Sequence, residues 1–278
     1  MNQAFNKEGV ELSPLGKNVV YCSEYNPSLL FPIARKIKRD ELAMPDVLPF
    51  RGADIWTAYE LSWLNLKGKP MVAVGEFEFP ADSPNIIESK SFKLYLNSFN
   101  GTGFASQTEV VEHLIKDLSA ASGSKVKVKM KLVGEPQTLV GEIDEAFCLD
   151  HQDIEIHDYQ LTTDHLSVQD KEVEQTVYSH LLKSNCLVTG QPDWGTVVIS
   201  YRGQQIEPTG LLRYIVSYRE HMEFHEQCVE RIFMDIQRYC QPEALTVYAR
   251  YVRRGGLDIN PYRSNFQPHV QMPRLVRQ

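Results

Sequence analysis

The sequence predicts an α+β fold built from two similar units, each an antiparallel sheet carrying a pair of helices. Two observations predict it. The order strand, strand, helix, helix, strand occurs twice along the chain, although the residues themselves do not visibly repeat. The length of 278 residues suits one large domain or two modest ones. The units are expected to meet near residues 140 to 165, with a single site drawing on both.

The first fifty residues are rich in Pro, Ser and Asn and carry little periodicity, which predicts an irregular arm lying over a domain. Ile55 to Leu64 and Met71 to Phe79 read as strands around the turn-like Asn65 to Pro70. Phe92, Tyr95, Leu96 and Phe99 then fall on one helix face. A second helix is predicted from about Thr108 to Ser119, with Ser106 and Glu109 at capping-box spacing. Val126 to Leu132 alternates strictly, as a half-buried strand with a lysine face does, and Gly134-Glu135-Pro136 ends it. In the second half, Leu187-Val188-Thr189 and Thr196 to Tyr201 read as strands around Gly190 to Gly195. Leu211, Leu212, Ile215 and Val216 mark one helix. Val229, Ile232, Phe233 and Ile236 mark another, closed by Pro242, and Leu245 to Val252 reads as a strand.

A formal net charge of -7 makes binding to a nucleic-acid backbone a poor expectation, so any base the protein acts on is free and not part of a polymer. Five scattered cysteines argue for a reducing compartment and against a disulfide framework. Met1 to Gly9 is polar with no apolar signal region, and no apolar run approaches the roughly 18 residues of a membrane helix. A cytoplasmic protein without membrane contact is expected.

There is no G-x-G-x-x-G, Walker A or G-x-S-x-G, and Gly101-Thr102-Gly103 follows a helix, as a loop does. Cys148 and His151 offer half a metal site at most, with a chance pairing the better reading. His221 and His225 are four apart but not in an H-E-x-x-H frame, so no metal is expected. Cys186 beside Leu and Val reads either as a small core residue or as a nucleophile. Its company shifts the balance toward the second, which spacing alone signals only weakly. Asp193 lies seven residues on, in a rigid Gln-Pro-Asp-Trp turn, and His225-Glu226 stands at a helix start, so thiolate, acid and imidazole form a covalent-catalysis site if the fold gathers them. Ser89 and Lys90 read either as part of a solvated helix or as a phosphate site made of helix N-terminal amides and an ammonium. Arg253 to Gly256 is a solvated turn or an anion-binding one.

From about Leu48 onward these segments resemble the NADPH-dependent 7-cyano-7-deazaguanine reductases of queuosine biosynthesis, in their long, two-domain form. The resemblance is carried by Ile55-Trp56-Thr57, Tyr59 to Leu64, Glu88 to Phe99, Cys186 to Gly195, Phe224 to Ile232 and Tyr248 to Arg263. It implies two tandem tunnelling-fold units, residues 1–150 with the arm and 151–278 with the cysteine, assembled as a homodimer. The metal pattern of the related zinc-dependent GTP cyclohydrolases, Cys followed closely by paired His, is missing after Cys186. Carried over by position, Cys186 resembles the nucleophile, Asp193 the proton donor, and His225 a base-binding residue that also assists the chemistry. Ile87, Glu88, Ser89 and Glu226 resemble substrate contacts, and Ser89, Lys90, Arg254 and Gly255 resemble contacts to NADPH.

The resemblance implies thiolate attack on the nitrile of a deazapurine, giving a thioimide that accepts hydride. Cys186 then reacts as a thiolate and Asp193 enters with its proton. Two other readings stay open on sequence: an amidine-forming relative that attacks the same thioimide with ammonia, and a non-catalytic purine- or pterin-binding module. NADPH consumption separates the first from a reductase, and a covalent adduct excludes the second.

Overall fold

The structure is a computed structural model that describes residues 21–133, 141–143, 146–157 and 159–278. The polar start Met1–Gly9 and the strand end at Gly134-Glu135-Pro136 lie outside the described residues. The elements run β1 (Pro32–Ala34), α1 (Lys36–Glu41), β2 (Arg51–Leu64), β3 (Pro70–Pro80), β4 (Asn85–Ile87), α2 (Ser89–Asn97), α3 (Gln107–Ser122), β5 (Lys127–Leu132) and β6 (Ala146–Cys148). The second half continues with β7 (Val168–Asn185), β8 (Pro192–Ile206), α4 (Pro208–Val216), α5 (His225–Tyr239), β9 (Ala244–Tyr251) and β10 (Leu257–Ser264).

The long strands join one eight-stranded sheet in the order β5-β3-β2-β10-β9-β8-β7-β6, antiparallel except where short β6 pairs with β7. The two halves meet inside it, because β10 pairs along β2 from Leu257↔Ala58 to Ser264↔Arg51. Alternation decides which side chains meet the helices. Val197, Ile199 and Tyr201 of β8 pack with α4 and α5, while Val198 points to the opposite face with Ala53, Tyr248 and Tyr262. A second core lies under α2 and α3, where Trp56, Phe77 and Phe79 pack on Phe92 and Tyr95. Among the described residues no helix is long and apolar enough to cross a membrane.

Half of the predicted capping box forms, with Ser106 Oγ accepting from the Glu109 amide at 3.1 Å, while the Glu109 carboxylate reaches past the cap residue to accept from the Ala105 amide at 2.7 Å. The lysine face of β5 pairs across to β3, Lys127 with Glu78 and Lys129 with Glu76.

Four expectations change. Leu187-Val188-Thr189 is a turn, and the strand before it is β7. Leu187 is apolar because it plugs a small cluster with Ile33 and Ile86, and β7 hides because its outer face is polar from Gln169 to Glu174. β10 reads poorly as a strand because Asp258, Asn260, Pro261 and Arg263 interrupt it, yet all four are buried. The arm is not wholly irregular: β1 pairs with β4, and Arg39 of α1 reaches Glu230 of α5 at 2.6 Å.

The fourth change is that the two halves repeat at the level of residues. Glu88 and Glu207 each cap the following helix, accepting from the amides two and three residues on. Seven residues after each glutamate stands a tyrosine, Tyr95 or Tyr214, which donates at 2.7 Å to Asp117 or Asp235 on the next helix. Three residues further, Ser98 and Ser217 each donate to that tyrosine's carbonyl at 2.6 Å. These residues are polar and widely spaced, so a search for apolar periodicity passes over them.

Candidate active site

One cleft of about 610 Å³, open mouth included, lies where the two halves meet. Ile86 to Ser89 line it from the first half; Cys186, Asp193, Glu223 to Glu226, Val252, Arg254, Leu257 and Ile259 line it from the second. The sequence-predicted Ile87, Glu88, Ser89, Cys186, Asp193, His225, Glu226 and Arg254 are therefore gathered together. Gly255 is not in this lining; it faces a small recess beside it with Gly256 and Lys93. Lys90 is also outside the lining, one residue beyond Ser89 on α2.

Cys186 follows the last residue of β7 and begins a closed loop. Its amide donates to the Gln191 carbonyl at 2.8 Å, and the Gly190 amide donates back to its carbonyl at 2.9 Å. Gly190 sits at φ +67, a conformation that favours glycine. With Leu187 anchored below, the thiol is held at the cleft wall, 8 % exposed. Asp193 is the second residue of β8, not part of a turn as expected, so the strand ladder fixes it. It is 5 % exposed, and its Oδ1 faces Arg254 Nη1 at 2.8 Å and His225 Nε2 at 3.4 Å.

His225 opens α5. Its Nδ1 lies 3.3 Å from the Ile259 carbonyl, which can only accept, so the proton belongs on Nδ1. Nε2 is then left to exchange a proton with Asp193. Glu226, 3 % exposed, is pushed up to about 7 by burial and by the neighbouring Asp54 carboxylate. Burial also raises Glu88, against the two amides it caps. Glu223 shares the wall but is committed elsewhere. Burial opposes its charge, yet His221 and bidentate Arg231 outweigh this and hold it at about 2. His221 thus precedes the helix and serves Glu223 instead of sharing a helix face with His225.

The expected phosphate site on the amides of α2 needs correction. The Lys90 and Ser91 amides are taken by the Glu88 carboxylate at 2.8 and 2.7 Å. An anion there cannot use those two amides. Cys228, three residues past His225, is fully buried, and burial followed by Glu223 raises its thiol well above the ordinary value. It does not line the cleft, and neither does Cys240, pushed up to about 11 by burial. Sequence reasoning missed Phe224 and Ile259 as cleft residues; their apolar character gave no signal beyond that of core residues.

A model of the N-terminal domain of nitrile reductase (7-cyano-7-deazaguanine reductase) matches residues 21–130, and a model described as QueF-like protein matches residues 192–269. The chain is 58 % identical over 268 residues to an NADPH-dependent 7-cyano-7-deazaguanine reductase of Hydrogenovibrio crunogenus, covering 96 % of both. It is 58 % identical over 261 residues to the protein of that name from Aromatoleum aromaticum, and 55 % over 267 residues to that from Azoarcus, covering 92 % and 95 % of each pair. With both halves of the cleft inside these matches, the chain belongs to the family of NADPH-dependent 7-cyano-7-deazaguanine reductases.

Proposed function

We propose that this protein reduces the nitrile of 7-cyano-7-deazaguanine to an aminomethyl group with NADPH, through a thioimide on Cys186, as a step of tRNA queuosine biosynthesis. The observation that carries the reading is the one cleft in which Cys186 stands with Asp193 and two buried carboxylates, Glu88 and Glu226. A nitrile carbon is a weak electrophile, and addition leaves a poor nitrogen anion. Attack by Cys186 Sγ forms the C–S bond, while Asp193 gives its proton to the nitrile nitrogen. His225, with Nε2 facing Asp193, refills or drains that acid between steps. Once one hydride has added, the C–S bond breaks, Cys186 departs as thiolate, and an imine remains for the second reduction. Glu226 and Glu88 accept from the N–H donors of the deazaguanine edge, Ile87 and Ser89 flank it, and the buried setting strengthens each bond.

The residues at the cleft mouth fit a phosphorylated dinucleotide. Arg254 is partly exposed, Lys93 sits 3.2 Å from where a Cβ on Gly255 would lie, and Gly255 at φ +58 leaves that approach open. Ser89, Lys90, Arg254 and Gly255 would hold NADPH, which supplies hydride when bound.

The residue-level repeat supports two tunnelling-fold units, residues 1–150 and 151–278. Family membership supports a cytoplasmic homodimer acting on a free base. The test is intact-mass measurement with the nitrile base, followed by NADPH oxidation. An adduct in the wild type that is lost in Cys186→Ala, together with NADPH consumption, is expected. An adduct without NADPH consumption would turn the reading toward the amidine-forming chemistry.

A further inference from the structure

His225 does not stand alone in the cleft wall. The ring of Tyr251, the last residue of β9, lies flat beneath its imidazole, with centroids 3.7 Å apart and planes 8° from parallel. The backbone makes room for this. Tyr251 is the register partner of Gly195 on β8, and a Cβ there would sit 3.2 Å from two Tyr251 ring carbons. The Tyr251 amide donates to buried Asn260 Oδ1 at 3.0 Å, which pins the strand end between β8 and β10.

The hydroxyl end tells a different story from the ring. Tyr251 Oη and Ser184 Oγ are both buried without an oxygen or nitrogen partner among the described residues, and each meets only the Cys228 thiol. A thiol is a weak hydrogen-bond partner, so removing this hydroxyl costs little. The part of Tyr251 that meets His225 is its face.

We propose that Tyr251 is the positioning residue for His225, its ring fixing the imidazole plane so that Nδ1 meets Ile259 and Nε2 meets Asp193. An imidazole anchored only by a 3.3 Å bond at one nitrogen and a 3.4 Å contact at the other is free to rock about its Cβ–Cγ bond. A ring stacked at 3.7 Å confines it to one plane, and in that plane a single tautomer satisfies the Ile259 carbonyl. The inference rests on His225 assisting the chemistry, and its test reads the imidazole separately from turnover.

The experiment compares Tyr251→Phe and Tyr251→Leu with the wild type in NADPH oxidation, and repeats Tyr251→Leu in a His225→Ala background. It also records the imidazole nitrogens of 15N-histidine enzyme. Tyr251→Leu is expected to lower kcat by up to about 100-fold with KM for the nitrile base little changed. Tyr251→Phe restores most of that loss, and no further loss appears once His225 is alanine. The wild-type spectrum shows His225 protonated on Nδ1. The proposal is overturned by wild-type kcat in Tyr251→Leu, by a phenylalanine variant as slow as the leucine one, or by an undiminished leucine effect without His225. If Tyr251→Leu does not fold, a wild-type spectrum with both tautomers populated overturns it. Full turnover in His225→Ala, beside a wild-type spectrum protonated on Nδ1 alone, would instead remove His225 from the reaction and with it the catalytic meaning of the stack.

Discussion

Glu226 carries opposite costs for folding and for binding, and Glu226→Gln separates them. In the folded protein its carboxyl is raised from the ordinary 4.5 to about 7, because burial and then the Asp54 carboxylate disfavour its charge. Between those two values the unfolded chain has lost the proton and the folded chain still holds it. Stability therefore falls as pH rises from 4.5 toward 7, and above 7 the full cost of about 3 kcal/mol is in place. Glutamine never ionises. Glu226→Gln should melt roughly 5 to 10 °C above the wild type at pH 8, with most of the gain gone by pH 4.5. Binding moves the other way. A carboxylate accepts from two adjacent N–H donors, whereas an amide turns one of its ends into a donor. The lost charged hydrogen bond is worth about 1.5–3 kcal/mol, which raises KM for the nitrile base roughly 10- to 100-fold. In the wild type the same KM should rise as pH drops below 7. Thermal melts at pH 4.5 and 8, with KM across the range, test the account. A glutamine variant with the same melting difference at both pH values would refute it.

The other predictions are more direct. Cys186→Ala should form no adduct by intact mass and show no turnover, since Cys228 and Cys240 are buried away from the cleft. Asp193→Asn should still bind the base but lose about 10²–10⁴ in kcat, measured by NADPH oxidation; full activity would remove Asp193 from proton donation. Replacing Lys90 and Arg254 together by alanine should erase the preference for NADPH over NADH, read from kcat/KM for each cofactor. Arg263→Leu should destabilise by about 3 kcal/mol in denaturant melts, because Arg263 is fully buried between Asp54 and Glu230, and its loss leaves Asp54 with Arg35 alone and Glu230 with Arg39 alone.

The elements that sequence revealed are those whose buried face is wide and apolar. Phe92, Tyr95, Leu96 and Phe99 report α2 and its end directly, and Val229 to Ile236 report α5. β7 and β10 stayed hidden for opposite reasons. β7 exposes a polar outer face, and β10 buries polar residues that are satisfied only across the fold. Asn260 accepts from Tyr251, and Arg263 bonds Glu230 at 2.9 Å. No local pattern reports a partner on another strand. The site residues were legible as types and as a family resemblance, but not as neighbours. Nothing in the spacing of Cys186, Asp193 and His225 says that β8 and α5 close on the same cleft, or that Tyr251 lies beneath the histidine.

The repeat explains why a single site uses both halves. The same capping glutamate begins α2 and α4, so each half has an equivalent corner. At Glu88 that corner lines the cleft. At Glu207 it is filled: the amides of both glutamates are engaged alike, Glu88 with Phe31 and Glu207 with Ser167, but a Cβ on Gly210 would sit 2.2 Å from the His165 carbonyl oxygen. The reverse holds at the second helix of each pair. α5 begins with His225 and Glu226 facing the cleft, whereas α3 begins with Gln107 and Thr108 under the Ser106 cap. Each half has thus kept the part of the corner that the other has closed. Cys186, Asp193 and His225 come from one, and Glu88 with the adjoining Ser89 from the other. The β2–β10 pairing that joins the halves into one sheet is what holds these parts within a single cleft. A change that loosened that seam should therefore lower turnover before it unfolds either half.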